Sequence, residues 1–215
     1  MVEAGYTLCW AAKWHEEKEI FFSSAQNGSK PMLKKMWMLL NQADVVVHFN
    51  GKKFDIPTLQ GEFFLHHITP PAPYKQVDIL KAARLQFRFP SNKLDYLTRV
   101  SGIGGKVKHK GMQLWKDCMA GDQKAWKKMK QYNIGDVLLL EKLYVRMLPW
   151  IPQHPNRLLY GGSGACPKCK SKRVQSRGQQ VNRTYLYKRY VCVGCGSWLQ
   201  GERITREDKM YLTAI

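Results

Sequence analysis

Two acidic groups stand in contexts suited to phosphate chemistry. The first, Asp55, closes the segment Val45-Val46-Val47-His48-Phe49-Asn50-Gly51-Lys52-Lys53-Phe54-Asp55-Ile56-Pro57. A β-branched apolar run meets an Asn-Gly turn, then an aromatic residue, then a carboxylate just ahead of a proline. The second, Asp136, lies in Tyr132-Asn133-Ile134-Gly135-Asp136, inside a strongly helical stretch. One helical turn separates Tyr132 from Asp136, so phenol and carboxylate project from the same face. A strand that delivers one acid, and a helix that presents another beside a phenol, suggest a divalent-cation site for phosphate chemistry. Hard cations of that kind select oxygen ligands. For Asp55 the alternative is an ordinary helix N-terminal acid favoured by the macrodipole.

A second constellation lies near the C-terminus. Cys166-Pro167-Lys168-Cys169 and Cys192-Val193-Gly194-Cys195 are two Cys-x-x-Cys knuckles separated by 22 residues. Four thiolates suit one closed tetrahedral Zn²⁺ site, at a spacing slightly beyond the usual ribbon range. Disulfides are the competing reading, which a cytoplasmic chain disfavours. Between the knuckles, Tyr185-Leu186-Tyr187-Lys188-Arg189-Tyr190-Val191 alternates as a β-strand does. The unit's surface mixes Arg173, Arg177, Arg183, Lys188 and Arg189 with Tyr185, Tyr187 and Tyr190. That mixture suits backbone contacts plus base stacking; the alternative is a ribbon that docks on another protein. Cys9 and Cys118 stand alone in apolar contexts and read as inert core thiols.

The elements that must position these residues are legible in outline. Residues 5–14 and 18–23 read as an antiparallel pair, 30–43 as a helix with Pro31 in its first turn, and 44–49 as a strand. A helix over about 56–67 opens at Pro57, and Pro70-Pro71-Ala72-Pro73 marks an extended loop. A short strand near 76–78 feeds a helix to about Phe87, with Asp78 read as its cap rather than as a metal ligand. Ser91-Asn92 are expected to cap a helix over 93–101. Residues 102–111 combine four glycines with Lys106, Lys108, His109 and Lys110, either a phosphate-gripping loop or a solvated connection. Asp122 caps a long helix over 123–147, whose apolar stripe is Trp126, Met129, Val137, Leu140, Tyr144 and Met147. Gly135 inside it makes room for substrate or for a neighbouring element. The expected organisation is a domain over 1–150, a Pro/Gly-rich linker over 151–163, a zinc ribbon over 164–203 and a tail over 204–215.

Composition narrows the partners. The net charge is +19, from 35 basic and 16 acidic residues. Residues 151–215 hold 12 of the bases against 3 acids, so the shorter part is the more basic per residue. Such an excess points to polyanions, bound through salt-sensitive phosphate neutralisation. No apolar run is long enough to span a bilayer, and no signal-like core follows Met1, so cytoplasmic residence and no membrane partner are expected.

On the Asn-Gly-x-x-Phe-Asp and Tyr-x-x-x-Asp motifs, residues 1–150 resemble the DnaQ-like 3′–5′ exonucleases of the RNase H-like superfold, and proteins of the YprB type. The resemblance implies an α/β fold, a mixed sheet flanked by helices. It also implies a two-metal mechanism with Mg²⁺ or Mn²⁺ held between carboxylates. Asp136 would match the third-motif ligand on the nucleophile side, Asp55 the second-motif acid, and Tyr132 the phenol that orients the attacking water. Asn50 and Phe54 would line the pocket for the terminal nucleotide. The implied partners are nucleic acid, DNA in preference to RNA, and a polymerase or other replication or repair protein. Residues 164–203 similarly resemble transposase-like zinc ribbons, with Tyr-x-Arg-Tyr before the second knuckle and Gly196-x-Trp198 after it.

One departure from that pattern is serious. Such exonucleases open with a central strand carrying Asp-x-Glu, and no Asp-x-Glu occurs in these 215 residues. The N-terminal residues read as the family's second strand, and Glu16, Glu17 and Glu19 lack the spacing to substitute. Without the central strand, the hairpin of 5–23 and the strand 44–49 would carry unpaired edges, at roughly 1–3 kcal/mol per buried unsatisfied group. The expectation is that the given start lies within a longer reading frame. The alternative is a derivative that binds nucleic acid as an accessory protein without cleaving it. In both cases the chain as given is expected to be a weak or inactive nuclease.

Overall fold

The computed structural model describes residues 6–108, 111–160, 164–182 and 185–204. His109, Lys110 and Arg183 lie outside the described residues, as does most of the expected tail. The chain divides into two compact units, 1–144 and 145–215.

In the first unit, β1 (Cys9–Ala12) and β2 (Phe21–Ser24) pair antiparallel, with Cys9 opposite Ser24 and Ala12 opposite Phe21. Helix α1 (Ser29–Gln42) follows, with Pro31 in its first turn, where the missing N–H costs no hydrogen bond. Its buried residues Met32, Leu33, Met36 and Leu40 recur at helical spacing and form one apolar stripe. Strand β3 (Val45–His48) is joined to the parallel strand β4 (Lys75–Asp78) through helix α2 (Asp55–Leu65). Helices α3 (Ile79–Gln86), α4 (Leu94–Val100), α5 (Met112–Met119) and α6 (Gln123–Met147) complete the unit's elements, and the unit boundary falls in the last turn of α6.

Strand β1 stands between two apolar clusters. Trp10 packs with Met32, Leu33, Met36, Leu40, Leu59 and Phe63, and its indole Nε1 donates to Met32 O at 3.1 Å. The adjacent Cys9 turns to the other side, against the cluster of Leu114, Cys118, Ala125, Trp126 and Met129. Strand alternation makes this division possible. Burial, then the neighbouring Cys118, pushes the Cys9 thiol up to about 12, which fits an inert thiol.

The strands of the first unit form two separate pairs, as expected where the central Asp-x-Glu strand is missing. Among the described residues, β1 pairs only with β2 and β3 only with β4. No described strand occupies the central place that the resemblance assigns to the Asp-x-Glu strand. The strands are correspondingly half-buried over most of their length.

Three local expectations are corrected. Helix α4 starts one residue late, with Lys93 at its cap and no side-chain cap bond. Ser91 Oγ instead accepts from Lys93 N, and Asn92 Oδ1 is buried with no hydrogen-bond partner among the described residues. Helix α5 was not anticipated: it carries a lone Leu114–Cys118 stripe directly after a glycine-rich loop, too short a period to register. On α6, Val137 and Leu140 are only half-buried, whereas Leu143 is fully inside.

The second unit contains a 3-10 turn over Leu148–Trp150, another over Arg157–Tyr160, and the antiparallel sheet β5-β6-β7 (Val174–Val181, Leu186–Cys192, Trp198–Arg203). Part of the expected linker is anchored to the first knuckle. Ile151 is 4% exposed, Arg157 N donates to Pro167 O at 2.8 Å, and Arg157 Nη1 donates to Lys168 O. The Lys168 ammonium donates to the carbonyls of Leu148, Pro149 and Ile151 at 3.0, 3.4 and 2.9 Å, gathering oxygens of the turn that follows α6.

Glu141 fastens the β1–β2 turn to α6. Its carboxylate accepts from Lys13 Nζ at 2.5 Å, His15 Nδ1 at 3.2 Å and Glu16 N at 3.1 Å. Burial alone would raise its pKa, but the Lys13, Glu16 and His15 bonds outweigh that and lower it. A lowered carboxylate stabilises the fold above its unfolded pKa and loses that effect as pH falls through the folded value. Glu141→Gln is therefore expected to cost about 1–3 kcal/mol in urea unfolding at pH 7. The deficit should shrink as the pH is taken below about 4.

Candidate functional site

The turn after β3 is built from hydrogen bonds that explain its residues. Asn50 takes a left-handed conformation (φ 66°), which asparagine tolerates better than most side chains. Its N–H donates to Asp78 Oδ1 at 3.0 Å, and the same oxygen accepts from Leu80 N and Lys81 N. Asp78 is thus the cap of α3, as expected, and also ties the end of β3 to the end of β4. Gly51 is required because a Cβ there would meet the His48 ring at 2.9 Å. His48 Nδ1 accepts from Gly51 N at 3.1 Å, which leaves Nε2 to donate to Gln76 Oε1. Phe54 N and Ile56 N both donate to Gly51 O, and the chain enters α2.

That turn sets Phe54 and Asp55 on the surface. Phe54 is 56% exposed, with Lys53 Nζ 5.7 Å from its ring centroid. Asp55 is exposed in the first turn of α2, where the helix dipole favours a negative charge.

Helix α6 carries the other acid. Asp122 caps it, accepting from Lys124 N at 2.8 Å. Trp126 and Met129 anchor one end in the core, and Leu143, Tyr144 and Met147 the other, so the intervening turns are half-buried. There Tyr132 and Asp136 converge on one group, the ammonium of Lys106. Lys106 Nζ lies 2.5 Å from Asp136 Oδ2 and 3.3 Å from the Tyr132 hydroxyl. Burial would lower the lysine pKa, but the Asp136 carboxylate and then Tyr132 raise it overall. Burial and the Asp136 charge together raise the Tyr132 phenol, so it keeps its proton. Asp136 Oδ1 is buried and has no hydrogen-bond partner among the described residues.

Lys106 reached this place unannounced by the sequence, where it read as one of several loop bases. Its backbone N–H is held by Asp95 Oδ1 at 2.8 Å, and Asp95 also pairs with Arg99 at 2.8 Å. Gly135 accommodates the next residue of that loop: a Cβ at 135 would lie 3.2 Å from Val107 Cγ2. Its role is to admit a neighbouring element. The glycines on both sides of this contact were the available signal.

A two-ion centre needs several carboxylates around the cations. Asp136 has one oxygen to offer, but among the described residues no group of three or more metal-capable side chains includes it. Glu16, Glu17 and Glu19 are exposed. The residues present do not make up a two-ion shell.

The cysteines do make up a shell. The sulfurs of Cys166, Cys169, Cys192 and Cys195 all lie within 4.8 Å of one another. Two of the separations are 3.8 and 3.5 Å, in the range set by tetrahedral Zn–S bonds of about 2.3 Å. The knuckles repeat one geometry residue for residue. Lys170 N donates to Cys166 O and Gly196 N to Cys192 O, both at 2.8 Å. Lys170 and Gly196 share a left-handed φ, and the first cysteine N–H of each knuckle donates to Ser171 O or Ser197 O at 2.9 Å. Burial would raise the Cys192 thiol. The N–H groups of Cys195 and Gly194, with the Cys169 and Cys166 thiols, lower it to about 7 instead. Such a donor set can hold a zinc ion.

The family model of the RNase H superfamily matches residues 6–148. The chain belongs to the RNase H superfamily. No curated protein matches it. The matched residues of this superfamily member include Asn50, Phe54, Asp55, Tyr132 and Asp136 and stop short of the cysteine unit. Membership accounts for the α/β elements and suggests nucleic-acid hydrolysis as the fold's chemistry. Among the described residues, no helix is long and apolar enough to cross a membrane.

Lys106→Met should remove the cationic partner of Asp136, at a cost of about 1–3 kcal/mol. A raised lysine stabilises fully below its unfolded pKa of about 10.4 and loses the effect as pH climbs through the folded value. The deficit in urea midpoint should therefore persist from pH 7 to 9 and disappear only at stronger alkalinity. Pairing the change with Asp136→Asn should cost less than the sum of the two.

Proposed function

We propose that this protein engages the 3′ end of a polynucleotide, DNA in preference to RNA, and hydrolyses its terminal phosphodiester bond. The observation that carries this reading is Asp136. Its carboxylate has one oxygen on Lys106 and one buried without a partner, beside the Tyr132 phenol, on a chain of the RNase H superfamily. In this reading Asp136 and Asp55 are the acids and Tyr132 orients the attacking water. Asn50 and the exposed ring of Phe54 hold the terminal nucleotide, with Lys53 beside them for its phosphate. The basic excess of the chain supports a polyanionic substrate. Two acids do not complete a two-ion shell, so the dependence on Mg²⁺ or Mn²⁺ tests whether the chain assembles one. The four cysteines hold one structural Zn²⁺, which supplies much of the folding free energy of a unit with so small a core.

A second reading, binding without turnover, is favoured by one specific contact. The Lys106 ammonium already neutralises Asp136, and a cation would have to share that carboxylate.

The test uses a 3′-labelled single strand with Mg²⁺ or Mn²⁺. Release of labelled mononucleotide is expected, reduced about a hundredfold or more by Asp136→Ala or Asp55→Ala. Tight, salt-sensitive binding with no product in either ion would establish the second reading in its place. Metal analysis should find one zinc per chain, and Cys192→Ser should lose it together with the β-signal of the second unit.

A further inference from the structure

The three-stranded sheet of the second unit has two unlike faces. Strand register places Tyr187 opposite Arg203, Arg189 opposite Gln200 and Val191 opposite Trp198, so these six share one face. On the other face, Tyr190 lies over Gly201, where a Cβ would sit 2.4 Å from its ring, and Lys188 pairs with Glu202 at 3.2 Å. Tyr190 is therefore committed to packing, although the sequence groups it with the other tyrosines.

The first face is an alternation of rings and guanidinium groups. Arg189 Cζ lies 4.9 Å from the Trp198 ring centroid, and Arg203 Cζ lies 3.5 Å from that of Tyr185. Tyr185 in turn meets Tyr187 edge-to-face at 6.5 Å. The Arg189 Nε donates to Arg177 O at 2.9 Å, which fixes the guanidinium on the indole. Trp198 nevertheless remains 59% exposed and Tyr185 39%. From Trp198 to Tyr185 the strip runs roughly 20 Å at the usual strand rise. The only acid among residues 164–204 is Glu202, and it belongs to the opposite face.

We propose that this strip, Trp198–Arg189–Tyr187–Arg203–Tyr185, is a binding site for single-stranded nucleic acid, with bases stacked on the rings and phosphates drawn to the arginines. Charge complementarity selects a polyanion over an acidic-free apolar partner. The flat, exposed rings select one with unpaired bases over a duplex, whose bases are already stacked. Rigid guanidinium–ring pairs present this surface preformed, so little side-chain freedom is lost on binding. The site rests on the reading of nucleic acid as the partner of the chain, and it requires no catalysis.

The full chain carrying Asp136→Ala, which removes turnover, is titrated at fixed salt with oligothymidylate and with an abasic deoxyribose-phosphate chain of equal length. Trp198→Ala is expected to weaken oligothymidylate binding about tenfold, the order of one base–ring stack. It should leave the abasic chain unchanged, and Trp198→Phe should recover most of the loss. Lys188→Ala, on the other face, should lower both affinities alike and by less. Should Trp198→Ala lose its zinc, Tyr185→Leu carries the same expectation. Unchanged oligothymidylate binding in both ring variants, or equal loss on both polymers, overturns the proposal, the first outcome leaving the face to a protein partner. Because hydrolysis is read separately on the parent chain, failure here and failure of the hydrolase reading are distinguishable.

Discussion

The ion pair between Lys106 and Asp136 organises the first unit's site. A half-buried carboxylate midway along a long helix, with core packing on both sides of it, meets a partner of opposite sign here. The partner comes from a glycine-rich loop whose own path is fixed by Asp95 and by the gap at Gly135. Loop, helix and phenol are thereby locked into one arrangement. The cost of that arrangement is chemical: the acid best placed for phosphate chemistry already has a cation on one oxygen.

The second constraint is the divided sheet. Helices α1 and α2 cover one side of β1, and α5 and α6 the other, so the strand is well clamped by side chains while pairing, among the described residues, along only one edge. Among the described residues, apolar packing holds the two strand pairs of the first unit in a fold of the RNase H superfamily without a hydrogen-bonded ladder between them. The half-burial of β1, β2 and β3 follows from this.

The second unit solves the small-core problem differently. Two copies of one knuckle, each closed by a backbone bond to the first cysteine carbonyl, bring four sulfurs together. Lys168 and Arg157 hold the preceding chain against the first knuckle through backbone carbonyls. With the metal-capable cluster at one end, the sheet leaves large rings on its surface.

Much of this was legible in the residues themselves. Hydrophobic period and capping chemistry fixed α1, α3 and α6 closely, because Pro31, Asp78 and Asp122 act through bonds within a few residues. The Cys-x-x-Cys spacing determined each knuckle for the same reason, and the fit of four thiolates to one metal pointed to their joint cluster. The Tyr132–Asp136 pairing followed from helical pitch alone. What lay beyond the sequence was every long-range choice: that Lys106 turns inward, that Tyr190 covers Gly201 while Tyr187 faces out, and that α5 packs on Cys9. Those outcomes depend on which surfaces meet across the chain, and local propensity carries no information about that. Sequence thus set the elements and the chemistry they bear; only tertiary packing decided which charges are paired and which rings stay open to a ligand.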